Sequence, residues 1–249
     1  MKTFVINLDS AVDKRNRISN LCEKLKMDFE IFTAIDGSKL DESFIRGNVH
    51  DYQNCFLTKG EIGCALSHIG VYREIISRDL PYALIIEDDA VLDNRTLDFM
   101  RDFEKKTKNG IFLLTGDFEY AKNKKIKLGN FKVFPVTKAV RTTGYIITLK
   151  TAKKMVDFLF PIRYEADMFE IFRTCGNVKI YATLPHLIET NDRDKHDSSI
   201  EAERKLVVAD RENYRQKLYS LEKRPKINFV FSILQKLSKK PKYRNYLDY

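Results

Sequence analysis

Residues 87–89 read Glu87-Asp88-Asp89, three consecutive carboxylates closing the apolar run Ala83-Leu84-Ile85-Ile86. Four apolar residues bounded by polar groups have the length of a fully buried strand. In open α/β sheets, ligands bind just beyond the carboxyl ends of strands. Three acids crowded at such an edge repel one another. A divalent cation removes that cost, and hard oxygen donors suit Mg²⁺ or Mn²⁺. The triplet also fits a solvated acidic turn opening the next helix, where Asp favours the dipole. Phosphatases and phospho-acceptor domains likewise carry acids at strand ends.

The elements that would position these acids follow from the periodicity. Lys2–Leu8 has the pattern of a strand, and Asp9 or Ser10 can cap a helix to about Lys26, with Ile18, Leu21, Cys22 and Leu25 on one face. Phe29–Ile35 is a second strand, ended by the turn Asp36-Gly37. Residues 36–57 have no clear period and are expected to form a long polar loop. Thr58-Lys59-Gly60-Glu61 is a capping box. It opens a helix carrying Ile62, Ala65, Leu66, Ile69, Tyr72, Ile75 and Ile76 at helical spacing, which ends before Pro81. Strand 82–86, a helix near 95–106 and strand 111–114 follow. The lysine-rich stretch 119–130 reads as an exposed excursion. Strands at 132–136, 145–149 and 178–183, a helix at 151–160 and a charged helix at 200–221 complete the pattern. Strands alternating with helices predict an α/β protein with a mostly parallel central sheet.

The 249 residues include 17 Phe and are 43% hydrophobic, enough for one substantial core. No stretch approaches the roughly 20 apolar residues of a membrane span. The N-terminal apolar run is too short for a signal peptide. Four cysteines, Cys22, Cys55, Cys64 and Cys175, lack Cys-x-x-Cys spacing, which argues for a reduced cytoplasm and against a zinc site. Cys22 and Cys64 fall in helical patterns as small core residues. The net charge is +9, and residues 222–249 hold eight basic side chains against two acidic ones. The expected division is therefore a domain over 1–221 and a basic tail over 222–249. In that tail Ile227–Leu237 is apolar with lysines on both sides, which suits a helix lying in an anionic membrane interface. A helix packed on the core or on a second subunit is the alternative.

Four segments together resemble glycosyltransferase family 25, the bacterial lipooligosaccharide galactosyltransferases and their relatives. They are Phe4-Val5-Ile6-Asn7-Leu8-Asp9 with Arg15 and Arg17, then Gly60-Glu61-Ile62-Gly63-Cys64-Ala65-Leu66-Ser67-His68, then Leu84-Ile85-Ile86-Glu87-Asp88-Asp89, and finally Thr143-Gly144-Tyr145 through Asp167 to Pro185. The resemblance spans about residues 1–200. It implies a single GT-A-like domain, a nucleotide-sugar donor (usually a UDP-hexose), a divalent metal such as Mn²⁺ or Mg²⁺, and inverting transfer to a saccharide acceptor of lipooligosaccharide. Galactose is the sugar implied. An acceptor built on a lipid anchor would place the enzyme in the cytoplasm, on the inner face of the cytoplasmic membrane.

Within that frame Asp89 is the first candidate metal ligand, and Glu87 would contact the ribose or a metal-bound water. Asp88 points the other way if the strand continues. Asn7, Ala34 and Asp36 lie at strand ends that converge on one crevice. Arg15 or Arg17 could hold a phosphate bidentately. His68 is a candidate hydrogen-bond partner of the nucleotide or the acceptor. His186, or else His196, could complete the metal shell, and Arg193 and Lys195 could close over the diphosphate. Asp167 is the candidate base for the acceptor hydroxyl, with Glu165 and Asp117 behind it; Asp167 could instead cap a helix at Met168. Gly144-Tyr145 could meet a sugar or base. Two rival readings are a metal-dependent phosphohydrolase and a non-catalytic basic binding protein. The body lacks the basic, aromatic-interleaved stripe of a nucleic-acid binder, so no nucleic acid is expected.

Overall fold

The computed structural model describes residues 1–106, 108–122, 124–191, 206–222, 233 and 238–239. In chain order the elements are β1 (Lys2–Asn7), α1 (Val12–Lys24), β2 (Phe29–Thr33), a 3₁₀ turn (Gly37–Lys39), α2 (Glu42–Asn48), α3 (Tyr52–Cys55), α4 (Lys59–Ser77), β3 (Tyr82–Glu87), β4 (Ala90–Leu92), α5 (Asn94–Lys105) and β5 (Ile111–Leu113). They continue as β6 (Phe118–Ala121), β7 (Ile126–Leu128), β8 (Phe131–Ala139), β9 (Gly144–Thr148), α6 (Leu149–Leu159), α7 (Phe169–Thr174), β10 (Ile180–Leu184), β11 (Ile188–Thr190), α8 (Val208–Glu222) and β12 (Ser238–Lys239).

One ten-stranded sheet has the order β12-β6-β8-β10-β5-β9-β3-β1-β2, with β7 on β8, and β4 and β11 form a small separate pair. Five of its six strands from β10 to β2 run the same way, because β9 is antiparallel to both β3 and β5 while β1 is parallel to β2 and β3. The central strands β3, β5 and β9 are buried on both faces and are almost wholly apolar. Alternation along β3 sends Ala83 and Ile85 into the core under α4 and α6, and Leu84 and Ile86 into the core under α1 and α5. Glu87 follows on the α4 side. The result is a single mixed α/β domain, consistent with a GT-A-like architecture. No helix among the described residues is long and apolar enough to cross a membrane.

The capping box at α4 is formed: the Thr58 hydroxyl accepts from Glu61 N while Glu61 accepts from Thr58 N at 2.9 Å. Residues 36–57 differ from the loop expected. They hold the 3₁₀ turn, α2 and the one-turn α3, segments of three to seven residues that are too short to display a period. Residues 119–130 are in part strand, holding most of β6 and all of β7. In β7 the exposed Lys127 alternates with the buried Leu128, and Lys122, Lys124 and Lys125 lie exposed in the connection between the two strands. Helix α1 starts at Val12 behind Ala11, with no side-chain cap from Asp9 or Ser10. The charged helix is observed over Val208–Glu222. Residues 223–232 and 234–237, most of the tail expected to lie on a membrane, fall outside the described residues, as do Arg193, Lys195 and His196.

Helix α4 runs so close to the chain after β2 that a Cβ on Gly63 would lie 2.5 Å from Ile35 O and 2.7 Å from Gly37 N. Ala is ordinarily worth about 1 kcal/mol over Gly inside a helix. Here the neighbours are backbone, so overpacking at about 1–3 kcal/mol wins. Gly63→Ala is expected to lower the urea midpoint, whereas a raised midpoint would show that helix propensity governs this position.

Candidate active site

The chain leaves β3 at Glu87 and turns through Asp88 and Asp89 into β4, so the strict alternation expected for these side chains ends at Glu87. The parallel register sets Ile6 beside Glu87, which brings the end of β1 next to the acids. Asn7, 1% exposed, donates from Nδ2 to Asp88 Oδ2 at 2.7 Å and to Ala11 O at 3.1 Å. Arg17 donates from its guanidinium to Asp88 O and Ala90 O. It holds the turn's backbone and is committed to those carbonyls, a different task from the phosphate contact considered for it. From β11, Thr190 donates to Asp89 Oδ2. Asp89 Oδ1 is buried with no hydrogen-bond partner among the described residues.

Burial of a carboxylate without matching donors disfavours its charge. Burial, then the charge of Glu87, pushes the Asp89 pKa up to about 7. Burial also raises that of Asp88, against the Asn7 hydrogen bond. Glu87 goes the other way. Burial works to raise its pKa, but the hydrogen bond and charge of His68 and the Thr142 hydroxyl outweigh it and hold it below the ordinary value. The three carboxylates are held by different partners, and the bare buried oxygen on Asp89 is a hard donor of the kind a divalent cation takes.

His68, 1% exposed, lies within the fold, so its reach is to Glu87. Its Nε2 is 3.3 Å from Glu87 Oε1, and its Nδ1 is 2.7 Å from the Tyr145 hydroxyl, which is 2.8 Å from that of Tyr72. Tyr145 and Tyr72 are buried, and burial holds both phenols above their ordinary pKa. The contacts form one continuous hydrogen-bonded run from Tyr72 through Tyr145 and His68 to Glu87. The Tyr145 side chain is therefore a buried link and not a free stacking platform.

Beyond β1 and β2 lies a half-open cleft of about 300 Å³ lined by Leu8, Asp9, Ser10, Thr33, Ala34, Ile35, Asp36, Lys39 and Leu40. Ala34 and Asp36 thus stand in the wall of one cleft. Asp36 accepts from Ser38 N at 3.0 Å as the cap of the 3₁₀ turn. Ser67 pins this wall to α4, accepting from Ile35 N at 2.8 Å and donating to Gly63 O at 2.7 Å. Arg15 meets Asp9 at 3.1 Å on the exposed rim.

On the other side of Glu87, Arg141 N donates to Asp167 Oδ2 at 3.3 Å and Arg141 Nε meets Asp117 at 3.2 Å. Thr142, the next residue, donates to Glu87. The segment before β9 therefore gathers Asp117, Asp167 and Glu87. Asp167 does not cap α7: that position is Met168, without a side-chain cap. Glu165 is buried and ion-paired to Arg211 and Arg215, which ill suits a base. His186 is buried against Gly116, with Nε2 hydrogen-bonded to Glu189. Among the described residues, the group of three metal-capable side chains brought within reach of one another is Cys64, His68 and Glu87, and it includes neither Asp89 nor His186. Thr142, Thr190, Glu189 and Arg141 went unrecognised in the sequence. Thr142, Thr190 and Arg141 act across separations of 55, 101 and 26 residues that leave no local pattern, whereas Glu189 meets His186 only three residues away.

A buried acid edge and a cleft at the strand ends stand where open α/β sheets bind their ligands. The family model for glycosyltransferase family 25 (LPS biosynthesis protein) matches residues 1–170, and the chain belongs to this family. Procollagen galactosyltransferase 2 of Mus musculus is 30% identical over 171 residues, 61% of this chain and 27% of that protein. Lipooligosaccharide biosynthesis protein lic2B of Haemophilus influenzae is 31% identical over 162 residues, 61% of each chain. The chain thus spans about a quarter of the first and three-fifths of the second.

Proposed function

We propose that this protein transfers a hexose, galactose, from a UDP-sugar to a saccharide acceptor of lipooligosaccharide, with inversion and with Mn²⁺ or Mg²⁺ bound at the acid edge. The observation that carries the reading is Asp89: a buried carboxylate oxygen without a partner among the described residues, in the turn after β3 that Asn7 ties to the end of β1. The names of the relatives favour galactose and a lipooligosaccharide acceptor.

Asp89 would hold the cation, with Asp88 and Glu87 adding negative charge. When bound, the cation would offset the charge developing on the departing diphosphate. The chain's own residues do the rest. Asn7 and Arg17 fix the turn that carries the acids, Ala34 and Asp36 shape the nucleotide cleft, and Arg15 on its rim can approach a phosphate. His68 and Thr142 keep Glu87 ionised and oriented. Asp167 takes the proton of the acceptor hydroxyl as it attacks opposite the leaving group. A base of this kind contributes about 10²–10⁴-fold, so Asp167→Asn should lower kcat by that factor with donor affinity retained. His186 is a further ligand candidate. The basic tail, residues 222–249, would hold the domain at an anionic membrane surface on the cytoplasmic side.

The test is UDP release by the purified protein from UDP-galactose, UDP-glucose and UDP-N-acetylhexosamines, with Mn²⁺ or EDTA. Metal-dependent release from UDP-galactose above the others is expected. No turnover with any donor would overturn the reading.

A further inference from the structure

Cys64 and His68 stand one helical turn apart on α4, on the face that meets the end of β3. Cys64 Sγ, a ring nitrogen of His68 and a carboxylate oxygen of Glu87 lie within 4.8 Å of one another. We propose that Cys64, His68 and Glu87 form a second cation site, which shares Glu87 with the acid edge but not Asp88 or Asp89, and which is selective for Zn²⁺ over Mn²⁺ or Mg²⁺.

The donor types carry the selectivity. A thiolate and an imidazole favour a thiophilic borderline ion, while Mn²⁺ and Mg²⁺ prefer oxygen. Around tetrahedral zinc, with bonds of about 2.0–2.3 Å, ligand atoms lie roughly 3.5 Å apart. Closing the cluster thus needs a side-chain shift of about 1 Å, and the fourth position would be open. The histidine is held for the task, since its far nitrogen meets the Tyr145 hydroxyl at 2.7 Å, backed by Tyr72. Such a partner on the distal nitrogen fixes the ring and tautomer of a ligating histidine. The protons balance. Binding releases the thiol proton to solvent, and His68 ligates through Nε2 as the neutral ring with its proton on Nδ1, donating a hydrogen bond to the Tyr145 hydroxyl, which donates to Tyr72. The other cysteines cannot substitute readily. Cys22, Cys55 and Cys175 are buried, whereas Cys64 is half-buried, against the core position expected from its helical spacing. Burial pushes the Cys22 thiol up to about 11 and raises that of Cys55.

The site rests on donor geometry and not on the transfer reaction, so its test reads binding alone. Reduced full-length protein is titrated with Co²⁺, a spectroscopic stand-in for zinc. A thiolate-to-cobalt charge-transfer band saturating at one equivalent is expected. Zn²⁺ should displace it and excess Mn²⁺ should not. The band should persist in Asp89→Asn and vanish in Cys64→Ser. X-ray absorption at the zinc edge of the unmutated protein should show one sulfur among nitrogen and oxygen ligands, which does not depend on any variant folding. Absence of the band, its persistence in Cys64→Ser, its displacement by Mn²⁺, or a zinc shell without sulfur would each overturn the site.

Discussion

Replacing Asp89 with Asn should cut metal-dependent turnover by about 10³-fold and yet stabilise the metal-free protein at pH 8. The first effect follows from losing the carboxylate proposed to hold the cation. Charge stabilisation by a bound metal is worth several kcal/mol, and each 1.36 kcal/mol is tenfold in rate. The second follows from linkage. The folded pKa of Asp89, about 7, lies above the ordinary 3.8. Stability tied to its neutral form is complete below about 3.8 and is lost as pH rises through 7. Above that the buried charge costs on the order of 4 kcal/mol without a cation, and Asn does not charge. Thermal unfolding of both proteins in EDTA should give nearly equal midpoints near pH 4 and a widening gap in favour of Asn up to pH 8. A constant gap across that range would remove the electrostatic cause.

Arg211→Ala should lower the unfolding free energy by about 3–5 kcal/mol. The guanidinium of this α8 residue is shared by Glu61, the N3 residue of the α4 capping box, and Glu165, two residues before Asp167. All three side chains are less than a tenth exposed. Removing one member of a buried ion cluster leaves charge uncompensated, which is the costly case; replacing every member with matched neutral groups is often near neutral. Against a total of about 5–15 kcal/mol, the single change is severe. Urea unfolding of Arg211→Ala should therefore show a much larger loss than Arg211→Met combined with Glu61→Gln and Glu165→Gln. A single-variant loss under about 1 kcal/mol would show that α8 is not anchored there. Because α8 also holds Glu165 through Arg215, loosening it should raise the acceptor KM.

The strands and long helices were legible because each buries a regular set of side chains. α4 announces itself by its capping box and apolar spacing, and β3 by its apolar run into the acids. What escaped was short or non-local. α3, four residues long, has no room for a period. β6 and β7, four and three residues long, were hidden by their shortness and by the lysines between them. In the candidate site, the sequence points to Glu87, Asp88 and Asp89 but not to their partners. Thr142 lies 55 residues from Glu87, Thr190 lies 101 from Asp89, and Arg211 lies 150 from Glu61. His68 reads from the chain as a ligand-facing residue. Only packing reveals that it is enclosed with Tyr145 and addresses Glu87.

The most direct measurement is the position of Mn²⁺ by anomalous scattering in crystals grown with UDP. The expected peak lies within about 2.5 Å of an Asp89 carboxylate oxygen, with diphosphate density on its far side and the uridine in the cleft lined by Ala34 and Asp36. A peak remote from residues 87–89, or UDP bound without a metal there, would contradict a metal-assisted transfer at the acid edge.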